Sequence, residues 1–331
     1  MPKVSVIIPC YNEEKTIGLL LEAIYAQSYP RTEMEVVIAD GNSTDRTREV
    51  IAGFQASHLE LAIQVTDNPH QTIPAALNAA IRACRGKYIL RLDAHSVPQA
   101  DYVARSIAAL ESGMGTVVGG VWQIQPGRAG WVARAIAAAA ANPLGAGDAL
   151  YRFTTQAGEV DTVPFGAYAR ALIDQVGYYD ETLLANEDYE FNTRVRQNGG
   201  KVWLDPAIHS IYFARANLKA LNRQYFNYGF WKFRMLKRYP GTLRWRQALP
   251  PVFTLSLILL VFLSIFWPLG RLGLGIELGA YALILLAAGV QQALKRKDGG
   301  LAVGIPLAIA TMHLSWGWGF LVSVVKSGLT K

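Results

Sequence analysis

Apolar residues follow two regimes along the 331-residue chain. Up to about residue 215 they come in short runs separated by amphipathic stretches, and past residue 247 the runs lengthen severalfold. Residues 4–9 form an apolar run broken only by Ser5, the pattern of a strand buried on both faces. A helix is predicted over residues 16–27, a second strand over 35–39, and a helix that Ser43 or Thr44 can cap and that runs to about Phe54. Residues 61–65 and 88–92 read as the third and fourth strands, with 73–84 helical between them. Residues 117–122 continue the sheet, and 131–141 form an Ala-rich helix. Strand and helix alternating every 25 to 30 residues or so predict a mostly parallel sheet with right-handed crossovers. The first fold unit is thus an α/β, Rossmann-like layer over residues 1–215.

The second regime has membrane dimensions. Residues 247–270 carry no charge over 24 positions and residues 299–325 none over 27. Residues 278–294 add 17 more, with 272–276 apolar just before Glu277. About 20 apolar residues cross the hydrocarbon core of a bilayer. Three spans are expected over 247–331. Two spans with a third re-entrant or interfacial segment are the alternative.

Charge refines this picture. No acidic residue lies between Asp205 and Glu277, while Arg215, Lys219, Arg223, Lys232, Arg234, Lys237, Arg238, Arg244 and Arg246 supply nine of the 32 basic residues. Without those nine, 23 basic residues face 25 acidic ones, so the basicity is local. A basic stripe can serve nucleic acid, but this one runs directly into the charge-free segments and reads as a membrane-surface stripe instead. Residues 216–246, rich in Tyr, Phe, Trp, Lys and Arg, form an amphipathic segment for the lipid interface. This segment serves either as a plain anchor or as a lipid-acceptor site. The stripe and Lys295–Lys297 are expected on the cytoplasmic side of the plasma (inner) membrane, with Arg271 a counter-signal. A third span places Lys326 and Lys331 outside, which the rule tolerates without favouring. The apolar run at the amino terminus is too short for a signal peptide. Cys10 and Cys84 have no metal-type spacing and are expected reduced. His313 is the one clearly polar central residue of the spans, which argues against a transporter.

No G-x-G-x-x-G follows the first strand, which argues against a dinucleotide oxidoreductase. The candidate chemistry sits where strands end. The fourth strand runs into Asp93 and His95, which in extended backbone project to one face. Open α/β sheets bind ligands at the carboxyl ends of their strands, so this pair could hold a divalent metal against a nucleotide diphosphate. Asp93 could instead cap the following turn. Glu187 and Asp188 begin a predicted helix over 188–198, where acids also suit the helix dipole.

The strings VSVIIPCYNEE, VIADGNSTDRT and KYILRLDAHS, followed much later by ANEDYEFNTRVRQNGGKVWLDP, occur in this order. Together they resemble the family-2 glycosyltransferases, over about residues 3–210; within that family, DAHS, the run from Gly145-Ala-Gly147 to Tyr151-Arg152 and VDTVPFGAYAR most resemble the succinoglycan-type exopolysaccharide enzymes. The resemblance implies the GT-A nucleotide-sugar-binding fold. It directs Pro9, Tyr11 and Glu13 to the donor nucleoside and Asp40 to the uracil. Asp40 and Ser43 could alternatively only cap the following helix. Gly41 and Asn42 stand where the usual D-D-G-S pattern has Asp and Gly, which puts the loop geometry in question. Asp67 and Asn78 are also directed to the donor crevice, with a solvent-facing Asn78 as the alternative. Asp93 and His95 occupy the D-x-D metal position, where His95 either ligates the ion, shifting preference from Mg²⁺ toward Mn²⁺, or donates to the diphosphate. Asp188, with Glu187 beside it, becomes the general base of an inverting transfer.

The resemblance therefore implies a membrane-bound, metal-dependent (Mn²⁺ or Mg²⁺) inverting glycosyltransferase facing the cytosol among membrane lipids. Its expected substrates are a UDP-sugar, glucose foremost, and a polyprenyl-linked saccharide of exopolysaccharide assembly. Direct transfer to polyprenyl phosphate is a rival. A non-catalytic nucleotide-sugar-binding scaffold is another, kept open by the altered D-D-G-S and D-x-D positions. Processive synthesis is not implied, because Gln224 lacks the Arg-Trp that follows it in Q-x-x-R-W.

Overall fold

The computed structural model describes residues 1–329. Strands β1 (Val4–Cys10), β2 (Met34–Asp40), β3 (Ala62–Asp67) and β4 (Tyr88–Arg91) form the parallel half of a nine-stranded sheet. They alternate with helices α1 (Ile17–Tyr25), α2 (Thr47–Ser57) and α3 (Ile73–Ala83). β1 and β2 are buried along their whole length, as their apolar runs require. Helix α1 buries Ile17, Leu20, Leu21 and Ile24, a 3.6-residue stripe that packs on Val4, Val6 and Ile8.

After β4 the direction of pairing changes. The remaining strands are β5 (Ser96–Pro98), β6 (Val117–Pro126), β7 (Gly158–Glu159), β8 (Ala167–Ala169) and β9 (Val202–Ala214). β8 pairs antiparallel with both β4 and β6, and β5 and β7 pair antiparallel with β9. The sheet order is β3-β2-β1-β4-β8-β6-β9-β5, with β7 also on β9. The sheet is therefore mixed, parallel across β3-β2-β1-β4 and antiparallel at β8. Of the later strands, β5, β7 and β8 are only two or three residues long, too short to show a period in sequence. Helices α4 (Tyr102–Glu111), α7 (Leu172–Val176) and α8 (Glu187–Gln197) cover this half.

Two compact units divide the chain, Met1–Gln123 with Leu150–Tyr212 in one and Ile124–Ala149 with Phe213 onward in the other. The sequence pattern predicts a first domain unbroken over residues 1–215. Residues 124–149, which carry α5 (Trp131–Ala140) and α6 (Pro143–Ala146), instead group with the carboxy-terminal helices. The reason is steric: α5 is nearly all alanine on its buried side, so Ala135 can lie against Gly304. Arg134 Nε also donates to Asp298 Oδ2 at 2.7 Å.

The second unit also contains α9 (Leu218–Arg238), α10 (Trp245–Phe266), α11 (Pro268–Arg296) and α12 (Leu301–Leu329). The last three are each long and apolar enough to cross a membrane. α9 buries Leu221, Tyr225, Gly229, Lys232 and Met235, one stripe of an amphipathic helix. Gly229 and Gly319 let α9 and α12 touch backbone to backbone, since a Cβ at Gly319 would lie 2.1 Å from Phe226 O. Several polar atoms within the apolar helices are paired: Ser256 Oγ donates to Glu277 Oε1 at 2.5 Å, and His313 lies between Tyr281 OH (3.0 Å) and Leu144 O (2.8 Å), whereas Ser323 Oγ is buried without a partner among the described residues. His313 is thus satisfied structurally.

Candidate active site

Strand β4 brings a buried cation to the centre of the site. Arg91 is 2% exposed, and a basic side chain is almost never buried unless paired. Three carboxylates meet its guanidinium. Nε and Nη2 donate to Asp93 Oδ1 at 3.2 and 3.0 Å, and Nη2 also donates to Glu187 Oε1 at 3.0 Å. Nη1 donates to Asp188 Oδ1 at 2.5 Å. Glu187 and Asp188 open α8, where free backbone N–H groups favour acids. Burial pushes the Asp188 carboxyl up to about 7; Arg91 pulls it back down, while Glu187 and Asp93 add to the rise. Burial also works against the charge on Arg91, but Asp188, Asp93 and Glu187 outweigh it and hold the guanidinium well above its ordinary value. A carboxylate poised near neutrality suits proton transfer.

Asp93 and His95 are related by a turn. β4 stops at Arg91, and both the amide and the hydroxyl of Ser96 donate to Asp93 O, at 2.9 and 2.7 Å. The extended alternation expected from sequence is absent here, because Asp93 O closes a tight turn instead of a strand ladder. His95 Nδ1 lies 3.0 Å from Glu13 Oε1. Glu13 is itself held by the Thr16 hydroxyl on Oε2, and its amide donates to Thr47 Oγ1 at 2.8 Å. Among the described residues no three His, Cys, Asp or Glu side chains converge as a protein-built metal site requires. Asp93 and His95 are a partial donor set, which fits an ion that completes its shell with phosphate oxygens and water.

The ends of β1, β2 and β3 build a second patch. Asp40 and Asp67 are register partners, and Arg48 joins them: Nε donates to Asp40 Oδ2 at 2.5 Å and Nη2 to Asp67 Oδ1 at 2.6 Å. Asp40 also accepts from Ser43 N at 3.1 Å and Ser43 Oγ at 2.5 Å, and is wholly buried. Asp67, with 71% of its side chain exposed, is the carboxylate that faces solvent here. The following helix starts at Thr47, with Asp45 rather than Ser43 or Thr44 accepting from Thr47 N at 3.0 Å. Pro9 is enclosed in β1 opposite Ala39, and Tyr11 is 45% exposed with its ring against Gly41. Asn42 has φ 59°, the left-handed conformation that Asn adopts most readily after Gly. Asn42 thus adopts, where the usual pattern has glycine, a conformation that glycine also reaches without strain.

Asn78 does not join the crevice. It is buried, its Nδ2 donating to Tyr179 O at 2.9 Å and Glu181 Oε1 at 2.8 Å, while Oδ1 accepts from Tyr179 N at 2.9 Å. Its amide is spent on clamping the 179–181 segment, so neither the donor-binding nor the solvent-facing expectation holds. Two arginines were missed in sequence, Arg91 and Arg48. An open cleft of about 520 Å³ lies beside Asp67, lined among others by Asn68, His70, Arg82 and Glu181.

Comparison with known proteins agrees with this geometry. Residues 5–177 match the family described as Glycosyl transferase family 2. Succinoglycan biosynthesis protein ExoA of Rhizobium meliloti is 31% identical over 95% of this chain and 93% of its own. The dolichyl N-acetyl-alpha-D-glucosaminyl phosphate 3-beta-D-2,3-diacetamido-2,3-dideoxy-beta-D-glucuronosyltransferase of Methanococcus voltae is 26% identical over 99% of this chain and 98% of its own. Mannosyltransferase PcManGT from Pyrobaculum calidifontis, solved with GDP-Man and Mn²⁺, is similar in fold. Its TM-score is 0.59, over 94% of this chain and 87% of that one at 20% identity. S. aureus TarS 1–349 with UDP gives 0.53 over 98% and 92%, also at 20% identity. The ordered motifs, the match across more than half the chain and the near full-length likeness to ExoA converge: this chain belongs to glycosyl transferase family 2, on a GT-A fold.

Proposed function

We propose that the protein is a membrane-bound, metal-dependent, inverting glycosyltransferase. It moves a sugar, glucose foremost, from a UDP-sugar to a lipid-linked saccharide in exopolysaccharide assembly. The observation that carries this reading is the meeting of Asp93 and Asp188, distant in sequence, on the buried guanidinium of Arg91. A diphosphate-side carboxylate and a base poised near neutrality are what a single displacement needs.

In that displacement the acceptor hydroxyl oxygen attacks the anomeric carbon as the bond from that carbon to the diphosphate oxygen breaks. The hydroxyl proton passes to Asp188, and UDP departs with the bonding electrons. A general base typically contributes about 10² to 10⁴ in rate. One carboxylate acting from one face inverts the anomeric centre, so an α-linked donor gives a β-product. Asp93 and His95 would hold a divalent cation, which supplies charge stabilisation to the departing diphosphate. Asp67, Tyr11 and Glu13 line the nucleoside side, with Asp40 behind Asp67 through Arg48.

The acceptor class is supported by the relatives' names, one carrying a dolichyl-linked sugar phosphate and a β-linkage, the other succinoglycan biosynthesis. The three apolar helices and the basic α9 support an anchor in the plasma membrane with the transferase domain cytosolic. The test is purified protein with Mn²⁺ or Mg²⁺, a panel of UDP-sugars and a polyprenyl-linked saccharide. Sugar transfer supports the reading, and no turnover with any pair contradicts it.

A further inference from the structure

The proposed reaction uses two carboxylates that their own backbones do not fix relative to one another. Asp93 lies in the turn past β4, and Asp188 lies in the first turn of α8. Arg91 contacts both, and its own placement is rigid. It is register partner to Ile7, its amide donates to Gly166 O at 3.2 Å, and its side chain is buried.

The geometry points to Arg91 as a positioning residue for sugar transfer, a clamp that sets the spacing and orientation of the diphosphate-side carboxylate and the base. This deepens the function proposed above and rests on it. A guanidinium is planar, with five donors in a fixed fork, so groups bound to different nitrogens are spaced by covalent geometry. Nη1 takes Asp188, Nε and Nη2 take Asp93, and Nη2 also takes Glu187. Both aspartates are held through Oδ1, which leaves Oδ2 of each outside these contacts with the guanidinium. An ammonium is a compact point charge and cannot space three carboxylates in this way.

The test compares Arg91→Lys and Arg91→Ala with the unaltered protein, measuring kcat, donor KM, UDP affinity and melting temperature. Arg91→Lys keeps a cation among the three carboxylates. It is expected to fold, to bind UDP as before, and to lose on the order of 10²-fold in kcat, the scale that a misplacement of about 1 Å produces. Arg91→Ala is expected to regain part of its kcat when guanidinium chloride is added at low millimolar concentration, and not with sodium chloride. A Lys variant with near-normal kcat overturns the proposal. So does a kcat that falls only in step with UDP affinity and melting temperature. Failure of the Lys variant to fold assigns Arg91 to folding alone, which also overturns it. Turnover by the unaltered protein is measured first. Its absence counts against the transferase reading, whereas normal turnover with an unaffected Lys variant counts only against Arg91.

Discussion

His95 Nδ1 lies 3.0 Å from Glu13 Oε1. A carboxylate only accepts, so Nδ1 is the ring nitrogen that carries a proton toward Glu13. This is the arrangement in which an imidazole binds a metal while its other nitrogen donates to a carboxylate. Glu13 thus orients His95, a role beyond the nucleoside contact that the family resemblance implies.

Metal choice follows from that pair. Imidazole suits borderline ions, whereas Mg²⁺ prefers an oxygen shell. Mn²⁺ is expected to support turnover well above Mg²⁺, and His95→Asp to reverse the order. Glu13→Gln should weaken the Mn²⁺ requirement's apparent affinity by about 10- to 100-fold, the usual cost of losing such a carboxylate. Metal titrations of activity check this. An unchanged Mn²⁺ and Mg²⁺ response in all variants contradicts it.

The acidity of Asp188 sets a pH dependence. With its carboxyl pushed up to about 7 by burial, the ionised base fraction rises with pH to that value and levels off above it. kcat/KM for the acceptor is expected to show this acid limb. For stability the sign is opposite. The folded value lies above the unfolded one of about 3.9, so the folded state holds the extra proton and stability falls as pH climbs between the two. Asp188→Asn removes that slope, and its melting temperature relative to the unaltered protein should rise with pH over this window. A flat rate profile through neutrality contradicts the assignment.

The loop after β2 depends on Asn42 at φ 59°. Asn42→Gly should be nearly neutral, whereas Asn42→Val should cost about 1–2 kcal/mol, the penalty for a Cβ-branched residue in left-handed backbone. Thermal melting of the two variants distinguishes them, and equal melting temperatures contradict the loop geometry.

Asn78→Ala leaves the buried amide and carbonyl of Tyr179 without their partner. A loss of about 1–3 kcal/mol of stability is expected, with UDP affinity of the folded protein unchanged. Loss of UDP binding at full stability would return Asn78 to the donor site.

The parallel half of the sheet was legible because β1, β2 and β4 are predominantly apolar runs, and the three long apolar helices because each contains an extended stretch with few or no charges. The antiparallel half was legible only at β6, since β7 and β8 are two and three residues long. Asp93 and Asp188 were found by their motifs. Arg91 was passed over as part of an apolar strand, although a lone guanidinium inside such a strand is itself a signal that buried acids lie nearby. Asn78 could not be placed because its partners lie 101 and 103 residues away. α5 reads as an ordinary domain helix until its alanines are seen to match Gly304 of α12.

The most direct measurement is sugar transfer by the unaltered protein and by Asp188→Asn, side by side with UDP affinity. Both would be assayed with Mn²⁺, a UDP-sugar and a polyprenyl-linked saccharide. The expected result is transfer by the unaltered protein, a loss of about 10²-fold or more in the variant, and equal UDP binding. Near-normal transfer by Asp188→Asn would show that the base lies elsewhere or that the acceptor is already an anion, and would contradict the mechanism.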